Sequence, residues 1–166
     1  KHIYCKDGII TDFKTFMTGE IFNSFAENTI LSQSIEYDNF NDEYETSFIS
    51  GVEQIKNGRS LINAAFKIRT NDLFKINSKK DNYHFLSGLL LGEELLKIDL
   101  SKTKKIIVYA NPQLGKIYTI ALKYLETNKE IICVTEKKLA KSQALGQFKI
   151  YQQSISEKSQ LSNYEV

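Results

Sequence analysis

What is missing narrows the reading first. No apolar run approaches the roughly 20 residues that cross a bilayer. The longest, around Leu89, Leu90 and Leu91, is cut by Gly92 and Glu93. An excess of one charge is missing too. The formal net charge is +2 and lysines are scattered among nearly as many acids, so neither a membrane nor a nucleic-acid partner is expected. Cysteine is scarce: Cys5 and Cys133 have no metal-type spacing and form no CxxC pair. Both fall in stretches that read as strands, which predicts buried thiols in a reducing cytoplasm, with a disulfide between them as the alternative. There is no signal-peptide pattern at the start, no internal repeat and no low-complexity segment. The first residue is Lys1, not methionine, and residues 1–4 already read as a strand, so a longer native polypeptide is expected. What remains is a chain of 166 residues, 42% hydrophobic and 25% charged, enough for one globular domain with a core.

The order of elements follows from periodicity. Residues 2–6 and 9–16 flank Asp7-Gly8, and Asp-Gly between two β-prone runs predicts a hairpin with a two-residue turn. Thr18 is a plausible N-cap for a helix over 19–28, with Ile21, Phe22 and Phe25 on one face. Residues 27–41 give mixed signals, with partial packing through Ile30, Leu31 and Ile35 and a loop at Tyr37-Asp38-Asn39. Three helices are predicted next, over 42–56 (Tyr44, Phe48, Val52, Ile55, ended by Asn57-Gly58), 60–74 (Leu61, Ile62, Ala65, Phe66, Leu73) and 81–96. The third is apolar almost all round and should be buried on most sides. Then come a strand over 104–109, a helix opened by Pro112 and running to Leu125, a strand over 130–135, a short helix over 137–145 closed by Gly146, and an extended piece over 148–151. The last two strands are apolar on both faces, as parallel strands covered by helices are. The polar tail, 154–166, should fray.

Several segments, taken in order, resemble one family. Phe13-Lys14-Thr15-Phe16-Met17-Thr18-Gly19-Glu20-Ile21-Phe22, Phe66-Lys67-Ile68-Arg69-Thr70, the helix containing LSGLLLGEEL, the strand, loop and Y-x-x-A-L helix over 107–125, and Ala144-Leu145-Gly146 are similar to blocks of the 2-dehydro-3-deoxygalactonokinases. The resemblance covers about residues 1–150. It implies an α/β fold of the ribonuclease H-like, actin-like ATPase kind shared by sugar kinases. Such a domain has a mixed sheet, here with an N-terminal hairpin, a helical insert at about 30–100 and a parallel strand pair, so residues 1–153 would form the C-terminal kinase domain. The family's phosphate-binding G-T-H-S turn and first strand would lie ahead of Lys1. Without that strand, either another group covers the inner edges or the hairpin pairs directly with the parallel strands.

The same resemblance implies a transferase that moves the γ-phosphoryl group of ATP, with Mg²⁺, to 2-dehydro-3-deoxy-D-galactonate. The catalytic residue would belong to the N-terminal kinase half, a required partner, and a homo-oligomer stays open. Thr18 and Gly19 are the nucleotide candidates on the phosphate side, at a helix start where free N–H groups favour anions. Ala110, Asn111 and Pro112, beyond a parallel strand, are candidates for adenine or ribose. Arg69 could grip a phosphate or the acid group of the substrate, or pair structurally with Asp72 or Glu93. Ser87, Gly88 and Gly92 read as close helix packing. Glu94 reads as a helix charge or a partner of Arg69, His84 as satisfied or exposed, and His2 as a substitution, not a ligand. The lysine pairs Lys79-Lys80 and Lys137-Lys138 read as solvated turns, and no metal ligand is assigned. Two other readings remain: a non-catalytic interaction or nucleotide-binding module of the same fold, and a kinase of the superfamily acting on another sugar.

Overall fold

The computed structural model describes residues 1–99, 103–125 and 128–161, the stretch 156–161 by its backbone. It opens with the hairpin. Strands β1 (His2–Lys6) and β2 (Ile9–Lys14) pair antiparallel, Lys6 opposite Ile9, with a bulge between Tyr4 and Cys5. The turn puts Asp7 at φ 51° and Gly8 at φ 79°, the two positive values that Asp-Gly supplies at low cost.

Helix α1 (Thr18–Asn28) follows. The ambiguous stretch after it resolves into a 3-10 turn at Ser32–Ser34 that buries Leu31, and then an extended loop. Helices α2 (Glu45–Lys56), α3 (Leu61–Leu73) and α4 (Lys79–Leu95) form the body of the molecule. A short 3-10 turn, Asp42–Tyr44, leads into α2. Helix α4 starts two residues earlier than its apolar pattern implies because Ser78 and Asp81 form a capping box, each side chain satisfying the other's backbone N–H. The lysine pair at 79–80 therefore lies in its first turn, and Lys80 pairs with Asp38 at 3.1 Å.

Helix α4 is the centre of the fold. One side packs Phe85, Leu86, Leu89 and Leu90 with Leu31, Ile55, Ala64, Ala65 and Ile68. The other brings Leu91 and Leu95 against Phe48, Val52, Val108, Ala121 and Leu122. Its crossing with α2 is a backbone contact. A methyl group built on Gly88 would collide with the carbonyl oxygen of Phe48, and one on Gly51 with that of Phe85. Glycine at both positions lets the helices approach this closely.

Helix α3 departs from the expected core pattern. It buries Ala64, Ala65 and Ile68, while Ile62, Phe66 and Leu73 face outward. The Arg69 pairing also fails. Asp72 Oδ2 accepts from Ser34 Oγ at 2.8 Å and Glu93 pairs with Lys97 at 3.3 Å. Among the described residues Arg69 enters no ion pair.

Strands β3 (Lys105–Val108) and β4 (Glu130–Cys133) pair in parallel, Lys105 opposite Glu130, with helix α5 (Pro112–Tyr124) as the crossover between them. Among the described residues the strands form two separate two-stranded sheets. The expected single mixed sheet is thus absent there, and the hairpin does not pair with β3. It is held by side chains instead, through His2 on Glu94 of α4 and through Lys14 Nζ on the carbonyl of Lys97, just past the end of α4, at 3.5 Å. Cys5 and Cys133 are both exposed free thiols, against the expectation of burial: a two-stranded sheet leaves one or both faces open.

The end of the chain also differs. Helix α6 runs unbroken over Glu136–Leu161, through Lys137-Lys138, through Gly146, and through the segments expected to be extended or frayed. No atom lies within 4 Å of a methyl group placed on Gly146, so this glycine costs the helix about 1 kcal/mol of propensity and does not end it. The tail residues 162–166 lie outside the described residues. Among the described residues no helix is long and apolar enough to cross a membrane.

Candidate functional site

Two helix starts meet above α4. Asn111 caps α5, its side chain accepting from Leu114 N at 2.9 Å with Pro112 in the first turn. Helix α1 has no comparable cap. Met17 occupies the N-cap position without a side-chain bond, so Thr18 is the first helical residue and not the cap. Its hydroxyl is committed elsewhere, donating to Glu94 Oε2.

Between these starts lies a cavity of about 440 Å³, whose wall includes Thr18, Gly19, Phe22, Asn23, Tyr37, Phe40, Tyr83, His84, Asn111 and Gln113. Thr18, Gly19 and Asn111 are thus brought together. Ala110 and Pro112 flank Asn111 without lining the cavity, and Arg69, on α3, does not line it either.

The loop that the sequence leaves ambiguous supplies one wall. Gln113 Oε1 accepts from Phe40 N at 3.2 Å, and Gln113 Nε2 donates to Asn39 Oδ1 at 3.4 Å. Lys116 pairs with Asp42 at 2.7 Å. Helix α5 therefore holds the 37–42 segment against the opening. Asp38 accepts from Tyr44 OH at 2.8 Å and pairs with Lys80; the Tyr44 bond first, then Lys80, lowers its pKa.

His84 is 3% exposed, neither a surface histidine nor a fully satisfied one. Its ring stacks on Tyr44 at 4.4 Å and meets the edges of Phe40 and Tyr83, while Nε2 is buried without a hydrogen-bond partner. Burial pushes its pKa down to about 4, against the pull of Asp38 and Asp81, so the ring is neutral near pH 7.

Glu94 has a different role from the one its sequence position suggests. It is 4% exposed and draws three donors from three elements: Thr18 of α1, His2 Nε2 of β1 at 3.0 Å and Tyr118 OH of α5 at 3.1 Å. Burial raises its pKa, but the bonds from His2, Thr18 and Tyr118 outweigh that effect and the net shift is downward. Tyr118 moves up, through burial and then through the Glu94 charge. Thr18 and Glu94 of this cluster also border a smaller cavity of about 150 Å³, lined with them by Phe16, Met17, Ile21, Leu61, Leu90 and Glu93. A glutamate near the end of an otherwise apolar helix is the one signal in the sequence for this role.

The larger cavity is lined by aromatic, amide and aliphatic side chains together with the carboxylate of Asp38. Among the described residues no lysine or arginine lines it, and at the head of α1 the Thr18 hydroxyl is bonded to the Glu94 carboxylate. Among the described residues no three His, Cys, Asp or Glu side chains gather as a metal site.

Fold and cavity together describe an α/β domain whose larger cavity opens beyond a parallel strand pair. The model of the 2-keto-3-deoxy-galactonokinase family matches residues 1–143, and the chain belongs to that family of kinase-type phosphotransferases. Over 97 residues it is 33% identical to the "Probable 2-dehydro-3-deoxygalactonokinase DgoK1" of Rhizobium meliloti, covering 57% of this chain and 31% of that protein. The crystal structure of a protein assigned as a 2-dehydro-3-deoxygalactonokinase from Sinorhizobium meliloti is similar at a TM-score of 0.64 and 27% identity, over 79% of this chain and 43% of that one. A segment of 118 residues is also 32% identical to a component of DNA topoisomerase 4 from Mycoplasma capricolum, over 71% of this chain and 16% of that protein. The family match and the structural likeness both run with the kinase. The matched part of the chain spans 31% and 43% of the length of these two kinase relatives.

Proposed function

We propose that this chain is the carboxy-terminal, nucleotide-facing half of a cytoplasmic sugar-acid kinase of actin-like fold, and that its cavity receives the nucleoside end of ATP. The observation that carries the reading is the common cavity bordered by Thr18, Gly19 and Asn111. Its volume falls within the roughly 300–1,000 Å³ of small-molecule sites. Phe22, Tyr37, Phe40 and Tyr83 offer faces and edges for a planar base, and Asn23, Asn111 and Gln113 offer amides for its polar rim. The lack of cationic lining, together with Glu94 at the head of α1, turns the triphosphate outward. The phosphates, the magnesium ion and the catalytic carboxylate then belong to the facing half of the enzyme.

The reaction is attack of a hydroxyl oxygen of 2-dehydro-3-deoxy-D-galactonate on the γ-phosphorus. The bond from that phosphorus to the β,γ-bridging oxygen breaks, ADP leaves, and the hydroxyl proton passes to a carboxylate. Residues of this chain position the nucleotide for that step, and Arg69 remains a candidate for the acid group only if the facing half reaches α3.

Titration of adenosine, ADP and pyrophosphate, followed at the Gly19 and Asn111 amides, tests the binding claim. Adenosine and ADP should shift both signals and pyrophosphate neither; silence with both nucleotides rejects the site. For the reaction, the full-length polypeptide is assayed for ATP-dependent phosphorylation of a panel of 2-keto-3-deoxy sugar acids. Turnover with the galactonate derivative is expected, and turnover with none leaves a nucleotide-binding module without kinase activity.

A further inference from the structure

The polar side chains around the larger cavity differ in what they are already bonded to. Thr18 and Tyr118 donate to Glu94, Tyr37 donates to Asn39, and both amide atoms of Gln113 bond the 37–42 segment. Ser87 is not committed in this way. It lines the cavity from α4, is half-buried, and its hydroxyl enters no hydrogen bond among the described residues. Gly88 beside it makes the close contact with α2, so packing of the two helices does not account for the serine. His84, one turn earlier, also lacks a partner at Nε2, but that atom is buried and has almost no surface to offer a ligand.

The surroundings of Ser87 specify what it can meet. Leu90 and Leu91 of the same helix line the cavity at 5% and 4% exposure, and the Tyr83 ring is fixed between Phe22 at 4.9 Å and Tyr37 at 5.4 Å. The side chains of Asn23 and Tyr83 are unbonded too, but their polar atoms sit at the ends of longer side chains, and Asn23 is exposed, where water competes. The Ser87 oxygen stands one bond from Cβ and so stays close to α4, at the floor of the cavity. A hydroxyl among leucines and aromatic rings suits a flat heteroaromatic ring with a polar edge. The sugar acid does not suit this floor. Its carboxylate calls for a cationic partner and its hydroxyls for several hydrogen bonds, and no lysine or arginine lines the cavity among the described residues.

We propose that Ser87 is a specificity-determining residue of the cavity, its hydroxyl bonding the polar edge of the six-membered ring of adenine. The proposal rests on the reading that the cavity receives the nucleoside end of ATP. A hydroxyl both donates and accepts, so it serves either a ring nitrogen or the amino group on that edge. Ser87 has no bond within the protein to lose among the described residues, and alanine is the better helix former. Removing the hydroxyl therefore weakens the ligand without weakening the fold, an outcome that a packing role would not give.

Calorimetric titration of the full-length polypeptide tests this with two ligands, adenosine and benzimidazole riboside, whose six-membered ring carries neither nitrogen nor amino group. Ser87→Ala should weaken adenosine about tenfold, the effect of one hydrogen bond, and leave benzimidazole riboside where it was. The urea midpoint of Ser87→Ala should match the parent or exceed it. Ser87→Leu, which fills the floor, should remove binding of both ligands. A Ser87→Ala variant that binds adenosine as tightly as the parent overturns the proposal and leaves the nucleotide site standing. Equal weakening of the two ligands also overturns it, because the effect is then one of shape, and so does a folded Ser87→Leu variant that still binds adenosine. A parent protein that binds no adenosine rejects the nucleotide reading, and the role of Ser87 with it.

Discussion

The helices and the strands of this molecule reach burial by different routes. Around α4, helices α2 and α3 fill their own faces, and Phe48, Val52, Ile68, Leu86 and Leu89 are almost wholly removed from solvent. The strands achieve little of this. Every residue of β2 is exposed, and Ile3, Ile9, Ile10 and Phe13 stand in solvent on the hairpin. A helix satisfies its backbone internally and needs one neighbour for its apolar stripe. A strand needs partners along both edges and on at least one face, and a two-stranded sheet alone is marginal. The helical block is therefore the stable unit among the described residues, and the hairpin depends on what it is tied to.

The sharpest way to break this contrast is at the α2–α4 crossing. Gly88→Ala pushes a methyl group into the Phe48 carbonyl and should cost about 3 kcal/mol or more in urea unfolding. A loss below about 1 kcal/mol would mean that the two helices are not in backbone contact.

Glu94 is the joint between the two regions. Glu94→Ala removes the acceptor of Thr18, His2 and Tyr118 together and should cost about 2–3 kcal/mol. Amide exchange should rise first in β1 and β2; uniform acceleration over the whole chain would show that the hairpin is not separately anchored.

The buried histidine sharpens the contrast through pH. The unfolded chain protonates His84 near 6.5, whereas the folded chain waits until about 4. Between these values the unfolded state holds more protons, so stability falls as the pH drops through that window, by about 2 kcal/mol on reaching pH 5. Denaturation midpoints at pH 7 and pH 5 read the slope, and His84→Gln should flatten it. An unchanged slope assigns the effect to another group.

The smallest effect belongs to α6. Gly146→Ala meets open space and should raise stability by about 1 kcal/mol at most. A loss there would reveal packing on a helix that the structure leaves in solvent.

Legibility in the sequence follows the range of the interaction. Asp7-Gly8, Asn57-Gly58 and Asn111-Pro112 act over two to four residues, and the hairpin turn, the end of α2 and the start of α5 fall where those signals put them. Thr18 is not the cap it resembles because its side chain bonds a partner 76 positions away and not its own helix. Gly51 carries no signal at all, since its reason is the Phe85 carbonyl on another helix. Gly146 looks like a stop, yet a solvent-facing helix tolerates one glycine. The exposure of Cys5 and Cys133 is hidden in the sequence because β-propensity marks a strand and says nothing of what covers its faces.

The sequence by itself determined the order and kind of nearly every element, and the family to which its motifs belong, because turn chemistry and apolar period are local properties. Only the tertiary structure decided that Thr18, Gly19 and Asn111 share a cavity, that a loop without clear periodicity closes one side of it, and that Glu94 unites a strand with three helices. Those relations join residues far apart in the chain, and their energies exist only once the chain has brought the groups within a few ångströms of one another.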